Sequence, residues 1–189
     1  MDEIDRKIIS LLKENGRMTF KDIGKAIGFT SAGAKKRVGT LLKKGVIQVS
    51  ALLDIEKLNL NAALVMFEIE SESEIRKFLE RFRRCPRIVG AFTAIGRYNL
   101  VALLVAEDQK TFESVFLGKC ALRGEDTRTR IEVFPLGTQE LYVPISLALK
   151  QKNVSPCGIR CEICGRYKDE YCVGCPSTKY YRGRFFTSK

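Results

Sequence analysis

The stretch TFKDIGKAIGFTSAGAKKRVGTLLKKG, residues 19–45, has the pattern of two short helices separated by a glycine turn. Gly28 can end the first helix by adopting a left-handed conformation, which glycine tolerates best. Thr30 or Ser31 can cap the second helix, and Gly45 ends it. Two helices joined by about three residues around a glycine predict a helix-turn-helix unit.

A further helix is predicted immediately before this stretch. The apolar residues that have the i, i+4, i+7, i+8 spacing of a helix with one buried face are Ile4, Ile8, Leu11 and Leu12. Asn15-Gly16 ends the pattern. We therefore expect three helices over residues 1–50, with the third helix entering the DNA groove.

The outward face of the predicted third helix has small residues at its N-terminal end and cations beyond them. Its members are Ser31, Ala32, Lys35, Lys36, Arg37 and Lys43. Small side chains allow a helix to approach base edges, and lysine or arginine side chains contact phosphates. Double-stranded DNA is therefore the predicted ligand, and a lysine-rich face that contacts only solvent is the alternative.

These fifty residues resemble the N-terminal domain of the Lrp/AsnC (feast/famine) transcription regulators. The resemblance is carried by Asp5, Gly16-Arg17, the turn Gly28-Phe29-Thr30, and the run Arg37-Val38-x-x-Leu41 with Gly45-Val46-Ile47. The sequence departs from the pattern at Gly33 and Gly39 in the third helix, where each glycine costs about 1 kcal/mol relative to alanine. These glycines suit either a close approach to the DNA backbone or a helix that becomes fully ordered only on binding.

Residues 62–148 alternate between strand and helix patterns in the order strand, helix, strand, strand, helix, strand. That order predicts an α+β fold, namely a ferredoxin-like antiparallel sheet with two helices on one face. Apolar residues remain on the other face, so we expect a partner there, most simply a second copy of the chain. The resemblance implies a ligand-sensing domain that forms dimers and, in larger assemblies, tetramers or octamers.

The connection between the two central strand patterns contains Gly96, Tyr98 and Asn99. In the regulators that this chain resembles, a Gly-x-Tyr-Asp motif at this place helps to form a site for an amino acid or a similar small-molecule effector. The resemblance therefore implies an effector site here, although Asn99 replaces the carboxylate that would pair with an ammonium group. A hairpin turn without a ligand is the alternative.

Five of the seven cysteines lie within residues 157–175, as two CxxC pairs seven residues apart with one further cysteine before them. Four thiolates at this spacing can bind one Zn²⁺ ion and fold a small knuckle. The simplest zinc set is Cys161, Cys164, Cys172 and Cys175, with Cys157 as an alternative ligand. The alternative cofactor is a 4Fe-4S cluster, which would make the protein a redox-sensing or oxygen-sensing regulator.

The sequence argues against two enzyme classes. The spacing Cys157-x3-Cys161-x2-Cys164 occurs in radical S-adenosylmethionine enzymes, but only 25 residues follow it, too few for the barrel that those enzymes build. Sirohaem decarboxylases look similar over both domains but rely on histidine, and this chain has none. We therefore predict a regulator and not an enzyme. The tail resembles the cysteine-rich extension of some archaeal Lrp-like regulators.

The net charge of +11 is concentrated at the two ends of the chain. Residues 1–60 carry 12 basic and 7 acidic side chains (+5), residues 61–150 carry 13 and 12 (+1), and residues 151–189 carry 8 and 3 (+5). Basic ends suit contacts with nucleic-acid phosphates. No apolar run approaches the roughly 20 residues of a membrane span, and the N-terminus lacks a secretory pattern, so we expect no membrane partner and a cytoplasmic location.

These observations predict four segments. They are a helix-turn-helix domain at 1–50, a linker at 51–61, a ferredoxin-like sensing and oligomerisation domain at 62–148, and a cysteine-rich metal-binding tail at 149–189. Cys85 and Cys120, the two cysteines outside the tail, are predicted to be small packing residues.

Overall fold

The computed structural model divides the chain into two compact units, Met1–Ala51 and Leu52–Lys189. The residues that it describes are 1–117, 130–137, 139–147 and 152–186. Cys120 and the predicted domain boundary at 148–149 lie outside these ranges. No helix in the described part of the chain has the length and apolar character needed to cross a membrane.

The first unit contains the three predicted helices. They are α1 at Glu3–Glu14, α2 at Phe20–Ile27 and α3 at Ser31–Lys43. Their inward faces meet in one apolar core, whose buried members are Ile8, Ile23, Ala34, Val38 and Leu41. The α2–α3 connection matches the predicted turn, because Gly28 adopts φ 75° and the Thr30 side chain caps α3 by accepting a hydrogen bond from the Gly33 N–H. The helix-turn-helix prediction is confirmed.

Gly24 fixes the close packing of that turn. A Cβ atom at this position would lie 2.7 Å from the carbonyl oxygen of Phe29 and 3.0 Å from that of Thr30. The Phe29 N–H also donates a hydrogen bond to the Gly24 carbonyl. Only glycine permits this approach, so Gly24 determines how closely the start of α3 follows the end of α2.

The second unit contains a four-stranded antiparallel sheet. Its elements are β1 at Leu53–Asp54, β2 at Asn61–Glu68, α4 at Glu72–Phe82, β3 at Ile88–Thr93, β4 at Leu100–Ala106, α5 at Gln109–Leu117, β5 at Arg130–Leu136 and β6 at Tyr142–Val143. The strand order in the larger sheet is β3-β4-β2-β5. Together with helices α4 and α5, this order confirms the predicted ferredoxin-like arrangement.

The two faces of the larger sheet bury different side chains. Val65 pairs with Ala102 across β2 and β4, and both lie in the core that includes Phe82 of α4 and Phe112 of α5. Because successive strand residues point to opposite faces, Met66 and its neighbours face away from these helices. A second apolar cluster, which includes Ile55, Ala62 and Val105, covers one part of that other face.

The predicted linker at 51–61 needs correction, because most of it belongs to the second unit. Leu53–Asp54 pairs in antiparallel register with Tyr142–Val143 to form a separate two-stranded sheet. Ile55 and Leu60 are buried in the second apolar cluster. Sequence periodicity cannot reveal a two-residue strand whose partner lies about ninety positions away.

The cysteine-rich tail also belongs to this unit and is not a separate module. It contains a short 3-10 helix at Cys161–Ile163 and helix α6 at Gly165–Lys168. Its final described residues include Tyr181 and Phe186, which are buried in the second apolar cluster beside the sheet. The tail therefore gains its hydrophobic stabilisation from the ferredoxin-like domain.

Candidate functional site

Helix α3 presents the predicted DNA-binding face. The side chains of Ser31, Ala32, Lys35, Lys36 and Lys43 are exposed, while Ala34, Val38 and Leu41 on the opposite side are buried. This division follows the 3.6-residue period, which places inward and outward positions on separate stripes of a helix. The exposed stripe holds three lysines and no acidic residue, so it attracts polyanions.

Arg37, which was predicted to lie on the same face, has contacts within the domain. Its Nη1 atom lies 2.7 Å from Asp2 Oδ2 and 2.8 Å from Asp5 Oδ1. Its guanidinium also lies over the Phe29 ring, 5.4 Å from the ring centroid. In this structure Arg37 joins α3 to the N-terminal end of α1, so its charge is already neutralised by two carboxylates.

The N-terminal cap of α1 depends on the same carboxylates. The Asp2 side chain accepts a hydrogen bond from the Asp5 N–H, and the Asp5 side chain accepts one from the Asp2 N–H, which forms a capping box. The hydrogen bond from the Asp5 N–H is the main cause that lowers the pKa of Asp2, and Arg37 lowers it further. The negative charge of Asp2 therefore lies at the N-terminal end of α1, where it interacts favourably with the helix dipole.

The two glycines of α3 have different surroundings. A Cβ atom on Gly33 would lie 3.2 Å from Cδ1 of Phe29, whereas a Cβ atom on Gly39 would have no neighbour within 4 Å. Gly39 is therefore not required by packing in the free chain. Space at this position is consistent with the expectation that α3 approaches another molecule closely.

The predicted effector residues lie in the hairpin between β3 and β4. Gly96 has φ 140°, which only glycine adopts readily. Asn99 accepts a hydrogen bond from the Ile69 N–H at 2.9 Å and donates one to the Ile69 carbonyl at 2.6 Å. A hydrogen bond to Glu132 raises the pKa of Tyr98. Asn99 thus ties the hairpin to the end of β2, and the effector site remains a prediction from resemblance.

Six cysteines line one cavity between the tail and the ferredoxin-like domain. They are Cys85, Cys157, Cys161, Cys164, Cys172 and Cys175. The cavity has a volume of about 70 Å³. Cys85, which follows α4, was predicted to be a packing residue, and its place beside the tail cysteines was missed because that proximity arises only from the docking of the tail. Its side chain packs against the apolar core as well, so the packing prediction itself is confirmed.

Three of the thiols around the cavity are poorly solvated. Burial raises the pKa of Cys175 to about 12 and also raises the pKa values of Cys172 and Cys85. The nearby Arg87 charge acts in the opposite direction on all three thiols. Without a bound cation, these groups are neutral thiols at pH 7.

The predicted zinc ligands share one cavity. Cys161, Cys164, Cys172 and Cys175 line the same cavity, together with the alternative ligand Cys157. Within the described ranges, however, no three cysteine, aspartate or glutamate side chains are placed so that they could hold one metal ion. The structure therefore brings the predicted ligands to a common space, and the zinc site remains a prediction.

A buried ion pair holds the tail against the sheet. The Arg87 guanidinium donates hydrogen bonds to the Glu107 carboxylate at 2.7 and 2.8 Å, and it also donates to the Gly174 carbonyl at 2.8 Å. Burial alone would lower the pKa of Arg87, but the Glu107 charge raises it above the usual value. Arg87 therefore remains charged and joins β3, β4 and the tail.

Helix α5 makes further polar contacts with the tail. The Ser114 hydroxyl donates to the Tyr171 carbonyl at 2.6 Å and accepts a hydrogen bond from Arg166 Nε at 2.8 Å. The Val173 N–H donates to Thr111 Oγ1 at 3.3 Å. These bonds join the tail backbone at Tyr171 and Val173 to α5.

Comparison with known proteins agrees with this fold. A family model described as winged helix-turn-helix DNA-binding matches residues 1–48. YezC of Bacillus subtilis, named as an HTH-type transcriptional regulator, is 33% identical over 129 residues, which cover 67% of this chain and 90% of YezC. The match extends well beyond the helix-turn-helix unit, so it includes most of the ferredoxin-like domain.

Solved structures show the same architecture. The structure of PH0061 from Pyrococcus horikoshii superposes with a TM-score of 0.65 at 23% identity, covering 72% of this chain and 93% of PH0061. An AsnC family transcriptional regulator from Agrobacterium tumefaciens gives a TM-score of 0.61 at 23% identity, covering 76% of this chain and 94% of that one. Because curated relatives are named as transcriptional regulators and the fold matches, the chain belongs to the Lrp/AsnC family of helix-turn-helix DNA-binding transcription regulators and is not an enzyme.

Proposed function

We propose that this regulator recognises specific DNA sequences by inserting α3 into the major groove. Ser31 and Ala32 then lie nearest to base edges, and Lys35, Lys36 and Lys43 contact phosphates. The single observation that carries this proposal is the exposed stripe of α3, where small side chains at the N-terminal end are followed by three lysines and the helix contains no acidic residue. Arg37 has a supporting role, because its contacts with Asp2 and Asp5 brace α3 against α1.

A homodimer formed through the open part of the sheet accompanies this function. Met66 pairs with Val101, and Val101 pairs with Phe92, so these three side chains form a row on the face away from α4 and α5. Phe92 on edge strand β3 is 64% exposed, and Phe134 on the opposite edge strand β5 is 45% exposed. A second copy would cover this apolar row, and a two-fold axis would present two copies of α3 to successive half-sites.

The test uses DNA-binding affinity as a function of salt. A duplex enriched from a random library by binding to the full chain is labelled, and its affinity is measured by fluorescence anisotropy at several salt concentrations. We expect Lys35→Ala/Lys36→Ala to weaken binding at least about tenfold and to reduce the slope of log K against log salt by about 2, because two phosphate contacts are lost.

The matched control removes the same charge from another helix. Lys7 and Lys13 are exposed on α1, and Lys7→Ala/Lys13→Ala should leave the salt slope close to that of the wild type. Equal losses of DNA affinity in the two double variants would show that binding depends only on the net charge of the chain. An unchanged slope for the α3 variant would refute the assignment of α3 as the phosphate-binding helix.

A further inference from the structure

We propose that the cysteine-lined cavity binds a 4Fe-4S cluster, with Cys161, Cys164, Cys172 and Cys175 as its ligands. This cofactor site goes beyond the DNA-binding function and lies entirely within the second unit. It gives the tail a chemical role in addition to its packing against the sheet.

The number of thiols around one cavity suits a cofactor with several metal atoms. Zinc binds thiolate sulfur at about 2.3 Å, so four ligands around one ion lie about 3.8 Å from one another. In a four-iron cluster each cysteine binds a different iron, so the sulfurs surround a larger volume.

The size of the cavity agrees with this conclusion. Its volume is about 70 Å³, whereas about 10–15 Å³ is enough for one water molecule. Several water-sized groups would therefore fit between the cysteines. The lining includes Phe82, Ile88, Leu104 and Val115, whose apolar side chains keep water away from whatever occupies the space.

The charges around the cavity suit an anionic cluster. A four-iron cluster with four thiolate ligands carries net negative charge. Two arginines, Arg87 and Arg166, contribute to the lining, and no carboxylate is present among the described lining residues. Arg166, held by its hydrogen bond to Ser114, provides fixed positive charge at the cavity, whereas the charge of Arg87 is balanced by Glu107.

The choice among six cysteines follows from their packing. Cys85 and Cys157 both pack against the apolar core between the sheet and its helices. The Cys157 sulfur also lies 3.2 Å from the Ser155 hydroxyl, which gives it a hydrogen-bond partner. The other four cysteines form the two CxxC pairs and do not belong to that apolar core, so we assign them as the ligands.

The backbone near the second CxxC pair is shaped for sulfur ligands. The Gly174 N–H forms a hydrogen bond with Cys172, and the Ser177 N–H forms one with Cys175. Gly174 has φ 85°, and a Cβ atom there would lie 2.6 Å from the Tyr180 carbonyl oxygen, so no other residue fits. Backbone N–H groups directed at sulfur stabilise thiolate ligands of iron–sulfur clusters.

The test is the metal content of the full chain, purified without oxygen and then incubated with ferrous iron and sulfide. We expect about four iron atoms and four sulfides per chain, with broad visible absorption that bleaches on reduction by dithionite. About one zinc per chain, with neither iron nor visible absorption after the same treatment, would overturn the proposal.

Single cysteine variants test the ligand set. Cys161→Ala and Cys175→Ala should each reduce bound iron from about four atoms to fewer than about one per chain. The matched controls, Cys85→Ala and Cys157→Ala, should retain wild-type iron and absorption. Circular dichroism spectra and DNA affinity identify any variant that fails to fold. Loss of the cluster in Cys157→Ala with retention in Cys175→Ala would contradict the assigned ligands.

Discussion

Replacement of Arg87 by methionine probes the buried contact that holds the tail to the sheet. The Arg87 side chain is 7% exposed and its partner Glu107 is 9% exposed, so the ion pair is shielded from water. Arg87→Met preserves much of the side-chain volume but leaves the Glu107 carboxylate without its counter-charge. It also removes the only side-chain donor that the described residues offer to the Gly174 carbonyl.

The expected loss of stability is large. Removal of one partner from a buried ion pair costs about 3–5 kcal/mol, because the remaining charge stays desolvated. Total stabilities of domains are about 5–15 kcal/mol, so the loss is a substantial part of the free energy of unfolding. With a urea m-value of about 1–3 kcal/mol/M, the unfolding midpoint of this unit should fall by at least about 1 M.

The assay is urea unfolding followed by far-ultraviolet circular dichroism, with two control variants. Arg76→Met removes an ion pair with Glu72 that is exposed on both sides, and it should change the free energy by no more than about 0.5 kcal/mol. Arg87→Met/Glu107→Leu removes both buried charges and should recover most of the loss. A loss below about 1 kcal/mol for Arg87→Met alone would refute the reasoning, because it would mean that Glu107 remains solvated.

Three further predictions concern the helix-turn-helix unit and the open sheet face. Gly39→Ala should stabilise α3 by about 1 kcal/mol in thermal unfolding, because the new Cβ atom meets no neighbour within 4 Å. Gly24→Ala should instead destabilise the unit, because the new Cβ atom would lie 2.7 Å from the Phe29 carbonyl oxygen. Phe92→Lys should convert dimers to monomers in light scattering, while Ile163→Lys, at a residue of similar exposure (65% against 64%), should not. Because the pKa of Asp2 is lowered in the folded state, its charge stabilises the fold above about pH 4, and this contribution disappears as the pH falls through the folded pKa. The difference in melting temperature between the wild type and Asp2→Asn should therefore be larger at pH 6 than at pH 2; an equal difference at both values would exclude the charge as its cause.

Local sequence signals predicted the elements that depend on local interactions. The helices of the first unit follow from apolar periodicity and from caps such as Thr30 and Gly28, all within a few residues of each other. The sheet order follows from the sequence of strands and helices, because connections between neighbouring elements are short. The exposed stripe of α3 could likewise be assigned from periodicity alone.

Contacts between distant residues could not be predicted in this way. Arg37 was assigned to DNA because it lies at the edge of the exposed stripe, but its charge meets Asp2 and Asp5 more than thirty positions earlier. Cys85 lies in the cysteine-lined cavity because the tail folds back over α5 and the sheet. Spacing between cysteines shows which residues can bind a cofactor, but the distance between their sulfurs is set by the surface on which the tail packs.

The most direct test of the central claim is a comparison of affinities for two duplexes at physiological salt. One duplex carries the sequence selected by the full chain from a random library, and the other has the same composition in scrambled order. If α3 reads bases in the major groove, the selected duplex should bind at least about 10³-fold more tightly. Affinities that agree within about tenfold, with the same salt dependence, would contradict the account, because binding would then rest on phosphate contacts alone.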